Sequence, residues 1–140
     1  MVLYAEDIMH RDNRVYDPDT DCLTASKIMS DERHGYIIIG KNGKPEGIIT
    51  EWDLINKVLA RNINPEGIKL KEIMSTNLIS VSSKTPMDKI ADIMAINGIR
   101  RLLVIENGKF LGVITSRDIL RFFHDYVKDV VDIASKFGIR

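Results

Sequence analysis

Two apolar blocks recur along the chain with the same polar punctuation. Ile37-Ile38-Ile39 is followed, across Asn42-Gly43-Lys44, by Gly47-Ile48-Ile49-Thr50. Leu102-Leu103-Val104 is followed, across Asn107-Gly108-Lys109, by Gly112-Val113-Ile114-Thr115. Three consecutive aliphatic residues suit a strand covered on both faces. Asn-Gly between such runs marks a tight hairpin, because both residues tolerate positive φ. Two hairpins are therefore expected, Tyr36 to Ile39 with Gly47 to Thr50 and Arg101 to Ile105 with Phe110 to Thr115.

Ahead of each hairpin the apolar period becomes helical. Met87, Ile90, Ala91, Met94 and Ala95 follow Thr85 as a cap, Pro86 at the first helical position and Asp88 at the third. The earlier counterpart runs from about Thr20 to Asp31, with Leu23, Ala25, Ile28 and Met29 as its apolar face. The methionines are expected in the core. A short helical lead-in over residues 3–9 is matched by Leu70 to Met74. A short strand near Arg14 to Tyr16 is matched by Leu78 to Val81. After each hairpin Thr-x-x-Asp suits the first turn of a helix, from Trp52 to Ala60 and from Asp118 onward.

Sliding the sequence on itself by 65 residues aligns all these elements without a gap. Identical pairs include Ile8/Ile73, Met9/Met74, Thr20/Thr85, Gly47/Gly112, Thr50/Thr115 and Asp53/Asp118. The reading is a pair of α/β (α+β) units related by a pseudo-two-fold axis, over 3–62 and 68–125, with a turn-rich linker at Asn62 to Gly67. A helical extension over 126–140 has no counterpart. Ile119, Phe123, Tyr126, Val130, Ile133 and Phe137 carry its apolar face past the repeat, either back onto the module or onto another chain.

Composition narrows the classes. Twenty Lys and Arg balance twenty Asp and Glu, so no net field favours nucleic acid or an anionic membrane. The balance differs between halves: 8 basic against 11 acidic residues over 1–65, and 12 against 9 over 66–140. The second half is the more hospitable to an anion. Cys22 has no disulfide partner, no apolar run reaches the ~20 residues of a membrane span, and no signal-peptide pattern opens the chain. A soluble, cytoplasmic protein is expected.

The order helix, strand, helix, two strands, helix, with Gly-x-x-Thr-x-x-Asp ending the third strand, resembles the CBS domain. Two copies in register resemble the tandem CBS pair called a Bateman module, over about residues 3–125. The resemblance implies two β-α-β-β-α repeats and a regulatory module that binds adenosyl compounds in clefts between them, AMP, ADP, ATP or S-adenosylmethionine. By that resemblance Asp53 and Asp118 would accept the ribose hydroxyls. Thr50 and Thr115 would contact ribose or phosphate. Backbone groups around Asn77, Ile79 and Val81, and near Arg14 to Tyr16, would hold the adenine edge.

The residues themselves suit these roles. A carboxylate receiving two vicinal hydroxyls makes two charge-assisted bonds. An aspartate in a first helical turn also complements the helix dipole, which is its competing, purely structural role. The two sites are not equivalent. Arg100, Arg101, Ser116 and Arg117 surround the second, and forked guanidinium donors beside a helix N-terminus favour phosphate. The first has Gly35, Tyr36, Trp52 and the acidic Glu51 at the matching positions, with His34 as the nearby group able to become cationic. His34 and Tyr36 are its candidates. A phosphate-bearing nucleotide is thus expected at Thr115, Arg117 and Asp118.

No nucleophile, acid–base pair or metal-ligand spacing is visible, so no catalytic residue, metal or required cofactor is expected. CBS pairs also occur inside inosine monophosphate dehydrogenase, but 140 residues fall far short of the ~250 of a catalytic barrel. The expected partners are an adenosyl ligand, a second copy of the chain and an unidentified target enzyme or transporter. The alternative is a non-catalytic scaffold acting through the C-terminal helix without a nucleotide.

Overall fold

The computed structural model describes residues 2–138, so the last two positions of the expected 126–140 extension lie outside the described residues. In chain order the elements are α1 (Ala5–Ile8), α2 (Cys22–Glu32), β1 (Tyr36–Lys41), β2 (Lys44–Thr50) and α3 (Glu51–Lys57). There follow α4 (Leu70–Ile73), β3 (Ser80–Val81), α5 (Met87–Asn97), β4 (Arg101–Glu106), β5 (Lys109–Thr115) and α6 (Ser116–Lys136). The described residues form two compact units. One holds residues 13–79, and the other holds the N-terminal segment through Asp12 together with residues from Ser80 on.

Both hairpins form as the Asn-Gly signal requires. Asn42 and Gly43 have φ of 54° and 73°, and Asn107 and Gly108 have 51° and 78°. Each pairs antiparallel with the same register, Tyr36 opposite Thr50 and Arg101 opposite Thr115. Each carries a bulge at the same place, after Ile39 and after Val104. The aliphatic triplets are buried along their whole length, as strands without a polar face must be. In the 13–79 unit, Ile37, Ile39 and Ile49 pack with Cys22, Ala25 and Met29 of α2 and with Leu70 and Ile73 of α4.

The units do not follow the sequence repeats: the lead-in segments are exchanged. The lead-in of the first repeat docks on the elements of the second, where the Ala5 amide donates to the Thr85 carbonyl at 2.8 Å and the Met87 amide to the Leu3 carbonyl at 2.8 Å. Sixty-five residues on, the Leu70 amide donates to the Thr20 carbonyl at 2.8 Å and the Cys22 amide to the Ile68 carbonyl at 2.9 Å. The match continues into the sheets, where His10 bridges Val113 and Ser75 bridges Ile48. Even the Asp7/Glu72 pair keeps one role, each carboxylate accepting from the backbone amide that caps its short helix, Tyr4 at 2.8 Å and Lys69 at 2.7 Å.

Close approach of these segments explains the glycine of each motif. A Cβ on Gly112 would lie 2.3 Å from the His10 carbonyl oxygen. One on Gly47 would lie 2.5 Å from Met74 Sδ and 3.1 Å from the Ser75 carbonyl oxygen. The lead-in backbone can bridge the third strand because nothing projects there.

Four local expectations are corrected. Pro86, not Thr85, is the N-cap of α5, and Thr85 Oγ1 sits 3.1 Å from Ser82 Oγ rather than on a helix amide. The strand expected over Leu78 to Val81 shrinks to Ser80–Val81, since only these residues pair with β4, opposite Leu103 and Val104. Its counterpart contributes one bridge, Tyr16 to Ile39, with the Tyr16 amide donating to the Ile38 carbonyl. The helix expected to reach Ala60 ends at Lys57 and gives way to a 3-10 turn, Leu59–Arg61, closed by Asn62 at φ 56°. The C-terminal helix is continuous over 21 residues, and from Phe123 its large apolar side chains stay exposed rather than folding back on their unit.

Candidate functional site

Thr-x-x-Asp closes on itself in both units. In each, the threonine is the N-cap and the aspartate the third helical residue, and each satisfies the other's backbone amide. Asp118 N donates to Thr115 Oγ1 at 3.2 Å, while Thr115 N and Oγ1 donate to Asp118 Oδ2 at 2.8 and 3.0 Å. The Asp53 and Thr50 distances are 3.3, 2.9 and 3.1 Å. The structural role of these aspartates is therefore present in both copies, and a ligand role must rest on what differs.

The difference lies in the third partner. In the C-terminal unit the exchanged lead-in brings His10 Nδ1 to 3.1 Å from Asp118 Oδ2. Asp118 is the one buried carboxylate among the described residues, 8% exposed. Burial works against its charge, but hydrogen bonds from His10 and Thr115 outweigh it and hold the carboxyl below its ordinary range. All the bonds just described converge on Oδ2. In the other unit Ser75 takes the place of His10, and Lys57 reaches back along α3 to Asp53 Oδ1 at 3.3 Å. The same Lys57 ammonium donates to the Ile73 carbonyl at 2.8 Å, so the cation is fixed there from two sides. Asp53 is thus engaged through both oxygens.

The remaining candidates fall around these turns. Arg101 is half-buried on β4 directly opposite Thr115, and the Arg100 carbonyl accepts from the Ser116 amide at 2.9 Å. Arg117 is exposed in the first turn of α6. Arg117 thus lies in the turn that carries Thr115 and Asp118, while Arg100 and Arg101 come from the start of the neighbouring strand β4. In the other unit Tyr36 is buried opposite Thr50, and its ring stacks with His34 at a centroid distance of 5.7 Å and 6° between planes. The Gly35 carbonyl accepts from the Glu51 amide at 2.9 Å, the counterpart of Arg100 and Ser116. A cavity of about 400 Å³ opens beside these residues, lined by Ser30, Arg33, His34, Gly35, Glu51 and Leu54 among others. Asn77 and Ile79 lie outside any strand in the 13–79 unit, whereas Val81 is buried in β3 of the other.

Near Arg14 to Tyr16, Arg14 makes a forked pair with Glu32 at 2.6 and 2.9 Å and lies over the Tyr16 ring at 6.0 Å. His10 is the site residue that the sequence did not single out. Its signal was the repeat register: it follows Ile8-Met9 as Ser75 follows Ile73-Met74. Periodicity does not say that this segment crosses to the sheet of the other repeat. No helix among the described residues is long and apolar enough to cross a membrane.

Comparison with known proteins agrees with this architecture. An uncharacterised protein of Methanopyrus kandleri is 34% identical over 102 residues, covering 72% of this chain and 52% of that protein. The chain thus spans about half the length of this curated relative. Among solved structures, a CBS domain pair in complex with 5′-methylthioadenosine and S-adenosyl-L-methionine superposes with a TM-score of 0.78 at 28% identity, over 90% of this chain and 99% of that one. A hexameric CBS-CP12 protein from bloom-forming cyanobacteria gives 0.79 at 28% identity, over 99% and 86%. Residues 5–60 and 70–125 each match the CBS domain, and the chain belongs to the CBS domain family as a tandem pair.

Proposed function

We propose that this chain is a regulatory binding module for an adenosyl compound, AMP, ADP, ATP or of the S-adenosylmethionine type, with Asp118 receiving the ribose hydroxyls. The observation that carries the reading is the asymmetry of the two carboxylates. Asp118 is buried, held in its charged form and bonded through Oδ2, so its Oδ1 can accept a vicinal diol without first losing those bonds. Asp53 would have to give up Lys57. Hydrogen bonds to an ionised acceptor are the strong class, each worth about 1.5–3 kcal/mol. Arg117 in the same helix turn, with Arg100 and Arg101 at the start of the paired strand β4, favours a ligand that also carries phosphate.

In this reading the module binds and does not catalyse. It assembles as a homodimer in the cytoplasm and passes occupancy to a partner enzyme or transporter. A single buried, unpaired cysteine suits a reducing compartment. The neighbour crystallised with two adenosyl compounds supports the ligand class without deciding among its members. A scaffold that works through α6 without a nucleotide is the second reading, favoured by the exposed apolar face of that helix.

Thermal unfolding with AMP, ADP, ATP, S-adenosylmethionine and GTP, each in excess, separates the two. A ligand at 100 times its Kd stabilises the fold by about 2.7 kcal/mol, a shift of several degrees. Shifts with adenosyl ligands but not GTP are expected. No shift with any adenosyl ligand overturns the sensor reading in favour of the scaffold.

A further inference from the structure

After its capped first turn, α6 carries Ile119, Phe123, Tyr126, Val130 and Ile133, with Phe137 at its C-cap, spaced alternately by four and three residues. That is the spacing of a coiled-coil seam. Ile119 is half-buried against its own unit, but Phe123, Tyr126, Val130, Ile133 and Phe137 are 46–75% exposed. A lone helix end of this length is marginal in water, and an amphipathic face is what ordinarily holds it. Single exposed apolar residues need no explanation, whereas a continuous stripe does.

We propose that this stripe is covered by α6 of a second copy of the chain, the two helices running antiparallel. The proposal names the surface for the homodimer of the preceding section and is independent of its ligand. Charge complementarity selects both the occupant and the direction. In the antiparallel register that sets Val130 against Ile133 of the other copy, Tyr126 meets Phe137. On one flank Asp129 then faces Lys136 of the other copy, and the two-fold axis repeats that contact. On the other flank Val127 faces Ala134, so apolar meets apolar. A parallel, in-register pair would instead set Asp129 beside Ala134 and leave both charges without a counterion. The remaining charged residues, Asp125, Lys128 and Asp132, fall on the outer side of the seam, which also suits a two-helix contact.

The test is the mass of the full chain in solution, by sedimentation or light scattering across micromolar concentrations. A dimer is expected for the wild type. The double variant Val130→Asp/Ile133→Asp should be a monomer that keeps its cooperative unfolding transition, because both positions are exposed in one copy. Asp129→Lys and Lys136→Asp should each weaken dimerisation by about tenfold, and their combination should restore it. These charge reversals leave the apolar seam and the fold untouched, so they decide the matter even if the aspartate variant unfolds. A monomeric wild type, or a dimer that survives Val130→Asp/Ile133→Asp, overturns the proposal. Single reversals without effect overturn the antiparallel register. If nucleotide still raises the unfolding temperature of the monomeric variant, the loss belongs to this surface and the ligand reading stands.

Discussion

His10 Nδ1 lies 3.1 Å from Asp118 Oδ2 although 108 positions separate the two residues. The contact exists because the lead-in segment of the first repeat docks on the sheet of the second, bridging Val113 three residues before the α6 turn begins. It ties the N-terminal segment to the carboxylate on which the proposed ligand site is built. A ligand drawing on Asp118 would therefore also change the forces on residues 3–10, a direct path from occupancy to a distant part of the sequence.

Replacing His10 with Ala should remove one hydrogen bond to a buried carboxylate. The expected cost is about 1 kcal/mol of stability, since His10 is partly open to water. Nucleotide affinity should fall with it, because Asp118 loses a group that fixes its orientation. Ser75→Ala, at the matching position of the other unit, should leave affinity unchanged. Thermal unfolding and calorimetric titration of the two variants check both statements.

Acid stability should reflect Asp118. Its carboxyl is held below the usual value of 3.8 in the folded chain, so the unfolded chain binds this proton more readily. The stabilisation is complete above the ordinary carboxyl range and is lost as pH falls through the lowered folded value. Asp118→Asn should therefore be less stable than the wild type near neutral pH, with the difference narrowing in acid. Denaturant midpoints measured from pH 7 down to pH 3 test the sign.

The two motif glycines should differ in their tolerance of a methyl group. At Gly112 the added carbon meets the His10 carbonyl, which is backbone and bound in a bridge. At Gly47 the nearest obstacle is the Met74 side chain, which can swing aside, and the unyielding Ser75 carbonyl is farther off, at 3.1 Å. Gly112→Ala should destabilise by about 2–3 kcal/mol and Gly47→Ala by less. Matched thermal scans decide the order.

Cys22 should be inert in the native state. Burial, with the nearby charges of Asp21 and Glu72, raises its thiol to about 11, and its side chain is fully enclosed at the start of α2. Thiol reagents at neutral pH should label it only at the rate of unfolding, and fast labelling without denaturant would contradict its place in the core.

The hairpins, the repeat, the helices and the continuous C-terminal helix were legible because each is encoded locally. Asn-Gly fixes a turn, three aliphatics fix a buried strand, and Thr-x-x-Asp fixes a first helical turn. The exchange of lead-in segments was not legible. Leu3 to His10 and Ile68 to Ser75 have the same pattern wherever they dock, and only tertiary contact decides. For the same reason His10 carries no local signal of its role, whereas Asp118 does. Lys57 was hidden for another reason: a lysine four residues after an aspartate reads as an ordinary surface pair, and its second bond to the Ile73 carbonyl depends on where α4 lies. Thr85 has the local pattern of a cap, yet with Pro86 in extended geometry the helix begins one residue later.

The most direct test of the central claim is calorimetric titration of AMP into the wild type, Asp53→Ala and Asp118→Ala, each first shown to be folded. If Asp118 receives the ribose, its loss should weaken binding by tenfold to a hundredfold, the equivalent of about 1.5–3 kcal/mol. Asp53→Ala should bind nearly as the wild type does. Greater loss at Asp53 than at Asp118 would contradict the account and move the ligand to the unit where Lys57 now holds the carboxylate.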